Sequence, residues 1–273
     1  AQERLGGRLD IRSFHDAGAA GCSSSNGDEA ASSTSRARAA TTTSSTIPVP
    51  DLPSEPFTLG IASGDPLSDR VILWTRLAPD PLNGGGMPSD DVPVRWEVAA
   101  DNDDKFSKII ASGTAVATAD HGHSVHVDAE GLEPVTWYRY RFHVGDKWTS
   151  PVGRTRTAPA TGKQVDQLVF GFASCQNWQS GYYNAWRDVV LDEELELLVF
   201  LGDYIYEGGP SPLDPTGIVR QHNSPEVTDL IGYRNRYALH RSDPLLRAAH
   251  GRVPWMVIWD DHEVENNYSN DRS

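Results

Sequence analysis

Between residues 57 and 157 the chain alternates large apolar side chains with polar ones in short runs, and turn residues separate the runs. Val71 and Leu73 share one parity of a stretch whose other positions are Arg70, Ile72 and Trp74. That period of two puts one face of a strand into a core. Runs of this kind at 57–63, 70–76, 94–100, 109–114, 124–129, 137–144 and 149–157 predict seven strands and a β-sandwich. After Pro159 the pattern changes to alternating strands and helices. Strands are expected at 167–174, 195–201 and 255–259, with helices at 182–192 and 225–240. A further helix is expected to start with Ser242 or Asp243 as N-cap and Pro244 in its first turn, and to end near His250 with Gly251 beyond it. Repeated β-α-β units predict parallel strands with right-handed crossovers. Three such strands make a poor sheet, and an α/β domain of this kind usually runs to about 150–250 residues. The α/β part is therefore expected to be cut short at residue 273.

Residues 1–50 are rich in Ala, Ser, Thr and Gly, with few large apolar side chains to offset chain entropy. They are expected to form a disordered tail, stiffened near the first domain by Pro48, Pro50, Pro53 and Pro56. The division expected is thus a tail at 1–50, a sandwich at 51–158 and an α/β unit at 159–273. The formal net charge of -14 argues against binding nucleic acid through a basic face and suits a protein that takes up hard cations. No apolar run approaches the roughly 20 residues that cross a bilayer, so no transmembrane segment is expected. The stretch around Ile11-Arg12-Ser13-Phe14 has the flavour of a twin-arginine export signal, and Ala20-Gly21-Cys22 resembles the end of a lipoprotein box. Both lack the apolar region that such signals need.

Three strand ends carry chemistry. Leu201-Gly202-Asp203-Tyr204-Ile205-Tyr206-Glu207 closes one apolar strand with a hard acid, and Phe172-Ala173-Ser174-Cys175 closes a second with a thiol. Trp259-Asp260-Asp261-His262-Glu263 closes a third with acids around an imidazole, and Asn266 and Asn267 follow with neutral oxygens. Taken singly, each has an ordinary explanation: Asp203 caps a turn, Tyr206 packs, Cys175 is a small hydrophobe. Together at adjacent strand ends they describe a metal site. A phenolate and a thiolate suit a ferric ion better than calcium or magnesium, carboxylates and amide oxygens suit calcium, and Asp203 is placed to bridge two ions. His262 is open to two roles, metal ligand or proton donor to a leaving group. His121 and His123 have metal-binding spacing but no accompanying cluster beyond Asp120, and most of Arg220, Arg234, Arg236, Arg241 and Arg247 are expected to solvate helix faces.

These motifs, with Phe57-Thr58-Leu59-Gly60-Ile61-Ala62-Ser63-Gly64-Asp65-Pro66, Ile72-Leu73-Trp74-Thr75-Arg76 and Tyr233-Arg234-Asn235-Arg236-Tyr237, resemble the PhoD-type alkaline phosphatases, within the metallophosphatases. The likeness spans residues 57–273. It implies a fibronectin type III-like β-sandwich followed by part of an α/β metallophosphatase sandwich, and the stretch from Gly131 to Tyr138 is similar to the tyrosine corner of fibronectin type III domains. It implies an exported enzyme, secreted, periplasmic or on the cell surface, that hydrolyses phosphate mono- and diesters with a ferric ion (Fe3+) and calcium (Ca2+). Cys175, Asp203 and Tyr206 would hold iron, with Asp203 bridging to calcium. Asp261, Asn266 or Asn267 would complete the calcium site, and His262 would stand near the leaving group. Family members continue into a second half with further Asp and His ligands. Covalent phosphoserine chemistry is not expected, because Ser174 lacks a Gly-x-Ser-x-Gly context. The competing expectation is a secreted, non-catalytic binding protein that uses the sandwich.

Overall fold

The computed structural model describes residues 48–52, 54–214 and 217–268. The expected tail up to residue 47, the export-signal patterns and Cys22 lie outside the described residues. Eight strands precede residue 158: β1 (Ile61–Gly64), β2 (Arg70–Arg76), β3 (Val92–Ala100), β4 (Ile109–Ala117), β5 (Ser124–Glu130), β6 (Trp137–Val144), β7 (Trp148–Thr149) and β8 (Gly153–Arg156). The strand expected at 149–157 is two strands, because Pro151 stands between them and has no N–H for the ladder. The first strand starts late because the Gly60 N–H closes a turn on the Phe57 carbonyl with φ +70 at Gly60.

Strands β3, β4, β6, β7 and β8 form one antiparallel sheet, and β1, β2 and β5 belong to the other. The alternation in β2 does what it predicts: Val71 and Leu73 are fully buried in a core shared with Val94, Val98, Tyr140 and Phe142. The Tyr138 hydroxyl accepts from the Glu133 N–H at 2.7 Å, which ties the start of β6 to the turn before it.

The second half contributes β9 (Phe170–Ala173), α1 (Trp186–Leu191), β10 (Leu197–Leu201), α2 (Leu230–Arg241), α3 (Pro244–His250) and β11 (Trp255–Ile258). Asp229 caps α2, accepting from Gly232 N–H, so the helix begins five residues later than the sequence pattern suggests. Asp243 caps α3 with Pro244 in its first turn. The three parallel strands do not form a sheet of their own. β11 lies beside β1 through the pair Gly64↔Trp255, which produces a six-stranded sheet in the order β5-β2-β1-β11-β10-β9. Strands from both sides of the boundary expected at 158/159 therefore share one continuous sheet. Helices α1 and α3 cover one face of the parallel strands, burying Leu198, Phe200 and Trp255 against Trp186, Val189, Leu246 and Ala249. The opposite face leaves Phe172, Leu201, Met256 and Ile258 exposed.

Arginines sew the halves together. Arg241 donates to the carbonyls of Leu59 and Ile61, Arg247 to Thr58, and Arg76 to Arg234. The expectation that most helix arginines face solvent is corrected here: Arg236 and Arg241 are buried, and Arg220 lies 3.4 Å over the Trp178 ring. Carbonyls at loop ends and aromatic faces supply the partners that make such burial tolerable.

Candidate metal centre

The C-terminal tips of β10 and β11 and the loop after β9 meet at one point, as parallel strands require. β10 ends at Leu201, and the chain then turns sharply through Gly202 at φ +94 and Asp203 at φ +55. A Cβ on Gly202 would meet Asp260 Cβ at 2.5 Å, so only glycine lets the two strand tips approach this closely. Cys175 and Asn267 also hold positive φ, at 57° and 59°. Non-glycine residues held in that region store strain, and they cluster at functional sites.

Asp203 is buried, and its Oδ1 has no hydrogen-bond partner while Oδ2 accepts from the Tyr206 hydroxyl at 3.0 Å. One ligand atom from each of Asp203, Asp261 and His262 falls within 4.8 Å of the others. The Tyr206 ring lies over the His262 ring with centroids 4.2 Å apart, and the exposed Cys175 lies on the loop after β9. Burial, and after it the Asp203 carboxylate, pushes the Tyr206 phenol far above its ordinary range. A cation among these groups would reverse that bias and favour the phenolate.

The structure thus brings Asp203, Tyr206, Asp261 and His262 together, while Cys175, whose N–H donates to the Gly202 carbonyl at 3.1 Å, lies on the adjoining loop outside that cluster. It engages the two asparagines differently. The Asn267 N–H donates to Asp261 Oδ2, the Asn266 N–H donates to Glu207 Oε1 at 2.7 Å, and the Asn267 side-chain amide donates to Asn266 Oδ1. His121 bonds Thr118 and His123 bonds the Asp90 carbonyl, each on its own.

Two glutamates that residue type alone did not single out complete the geometry. Glu207, 5% exposed, accepts from His262 Nδ1 at 2.7 Å and so directs His262 Nε2 as the free ring nitrogen. Burial would lower the His262 pKa, but the Glu207 hydrogen bond and charge, with Asp203 and Asp261, outweigh it and leave the imidazole raised. Glu263 accepts from the N–H groups of Asp203, Tyr204 and Ile205 on the β10 side and of Asp260 on its own. The signal for Glu263 was present, since Asp260-x-x-Glu263 has capping-box spacing. For Glu207 none was, because its partners lie 55 and 59 positions away. A groove of about 760 Å³ between β1, β2, α2 and β11 reaches this centre only through Glu263 and its neighbours Tyr204 and Trp259, so the cluster itself stands outside it.

Residues 39–159 match the family described as PhoD-like phosphatase, N-terminal domain, and residues 170–273 match PhoD-like phosphatase. The chain belongs to the PhoD-like phosphatase family. Alkaline phosphatase D of Bacillus subtilis (strain 168) is 58% identical over 222 residues, which cover 81% of this chain and 37% of that protein. A solved structure of PhoD superposes with a TM-score of 0.79 at 57% identity, covering 82% of this chain and 42% of the other. This member of the PhoD-like family therefore spans about two fifths of the length of the relatives it matches.

Proposed function

We propose that this chain carries part of a metal-dependent centre that hydrolyses phosphate mono- or diesters outside the cytoplasm, as its family resemblance suggests. The single observation that carries the reading is the buried, unpartnered Oδ1 of Asp203, a residue whose carboxylate lies within 4.8 Å of ligand atoms of Asp261 and His262. An orphaned carboxylate oxygen in that setting is costly unless a cation meets it. The donor set fits such ions. Cys175, Asp203 and Tyr206 would hold a ferric ion, and Asp203 with Asp261 or a side-chain oxygen of Asn266 or Asn267 would hold calcium. When bound, these ions supply Lewis acidity toward phosphoryl oxygens and lower the pKa of a coordinated water.

The chain's own residues supply the rest. Asp203 presents a fixed negative charge whose direction the strained turn sets. His262, with Nδ1 held by Glu207, keeps Nε2 free to give a proton to the leaving oxygen. Residues 51–158 are read as a fibronectin type III-like sandwich, supported by the two sheets and the Tyr138 corner, and the following residues as part of an α/β metallophosphatase sandwich.

Hydrolysis of a chromogenic aryl phosphate at alkaline pH, with iron and calcium supplied, tests the function, and metal analysis of the same sample tests the centre. Asp203→Asn should remove bound iron and calcium together. Retention of both ions at full occupancy in that variant would defeat the assignment of Asp203 as the bridge.

A further inference from the structure

Glu263 does something that neither a ligand nor a proton donor does. Gly202 and Asp203 both adopt positive φ, which turns the successive N–H groups of Asp203, Tyr204 and Ile205 toward one side of the β10 tip. Such concave arrays of backbone N–H groups bind anions. Here the anion is the Glu263 carboxylate: Oε2 accepts from Asp203 N–H at 3.1 Å, and Oε1 accepts from Tyr204 N–H and from Ile205 N–H at 3.4 Å. The same Oε2 accepts from Asp260 N–H at 2.7 Å, closing the capping box of the short 3₁₀ turn Asp261–Glu263. One side chain therefore ties the turn that presents Asp203 to the turn that presents Asp261 and His262. No other side chain among the described residues is seen to bond the backbone N–H of Asp203.

We infer that Glu263 is a positioning residue of the metal centre, holding Asp203 in its left-handed conformation and setting its separation from Asp261 and His262. The inference rests on the metal-centre reading only for its affinity consequence. Its conformational part stands on the backbone alone. A carboxylate is required because both of its oxygens receive N–H groups. Glutamine would turn an NH2 toward one pair of these donors, leaving them unpaired and repelled.

The test uses the full chain. Selective labelling reads the 13C shifts of Asp203, which report its backbone angles without any metal. Sensitised Tb3+ luminescence from the nearby aromatic rings reads hard-ion affinity. In Glu263→Gln the Asp203 shifts should leave left-handed values, and Tb3+ should bind about 10- to 100-fold more weakly. Phe200→Ala, which loosens the core beneath the strands, should lower the melting temperature yet keep the left-handed Asp203 shifts. Should Glu263→Gln fail to fold, Glu263→Asp keeps the charge, loses the reach and carries the same test. Left-handed Asp203 shifts in the glutamate variant, or Tb3+ affinity within twofold of the parent, would overturn the inference. A parent chain that takes up no Tb3+ would count against the metal-centre reading instead, while the shifts still decide the positioning role.

Discussion

Gly202→Ala is the most direct probe of how closely the strand tips must approach. The added methyl carbon would stand 2.5 Å from Asp260 Cβ, 2.8 Å from Asp260 N and 3.2 Å from its Cα. Asp260 cannot yield easily, because its N–H is held by Glu263 at 2.7 Å. Two costs add. An L-residue at φ +94 stores roughly 1–3 kcal/mol of backbone strain, and forcing a methyl into backbone contact costs roughly 1–3 kcal/mol more. The sum is about 4 kcal/mol, which lowers the melting temperature of a chain this size by about 8–16 °C. Gly131→Ala is the internal control: φ there is +80 and nothing lies within 4 Å of the added carbon, so it incurs strain without a clash. The assay is thermal unfolding of the three proteins side by side. Equal losses in the two variants would refute the close approach of β10 and β11.

Acid should destabilise the fold in a window set by buried imidazoles. Burial, reinforced by Arg236 and other neighbouring charges, lowers His222 to about 4 and His240 to about 3. Both titrate near 6.5 when unfolded, so between pH 6.5 and about 4 the unfolded chain binds protons that the native chain refuses. Stability is then fully present above pH 6.5 and falls as pH drops, on the order of 3 kcal/mol per residue by pH 4. Urea midpoints for the parent and for His222→Gln with His240→Gln check this, and an unchanged slope in the double variant would contradict it. A fragment of residues 48–160 should unfold cooperatively, because the core of Leu52, Val71, Leu73, Tyr140 and Phe142 lies wholly within it. It should also self-associate at micromolar concentration through the uncovered β1 edge. A monomer by sedimentation would argue against the edge being sticky, and a non-cooperative melt against the shared core.

Local pattern carried the strands well. β2 and β6 occupy the expected spans 70–76 and 137–144, because alternating side chains packed against a facing sheet leave little freedom of register. Helix starts were less legible, since a capping Asp229 outranked the Pro225 signal. The sheet that runs through the expected boundary was not legible at all, because β1 and β11 meet at a single pair between residues 64 and 255. At the site, chemistry-bearing types at strand ends pointed to Cys175, Asp203, Tyr206, Asp261 and His262 as candidates, of which the structure groups Asp203, Asp261 and His262. What sequence left out was the support from Glu207 and the buried Arg236, whose guanidinium binds the carbonyls of Tyr206 and Gly208 beneath the site. Such roles depend on bonds between distant segments, which spacing does not encode.

The left-handed backbones of Cys175 and Asp203 change how mutagenesis of this centre should be interpreted. Alanine there deletes the donor atom but keeps the steric strain, whereas glycine deletes the donor and relaxes the chain. The stability order at both positions should therefore be glycine above the native residue, the reverse of the order inside a helix. A sequence drifting under selection for stability alone would be expected to replace both residues with glycine.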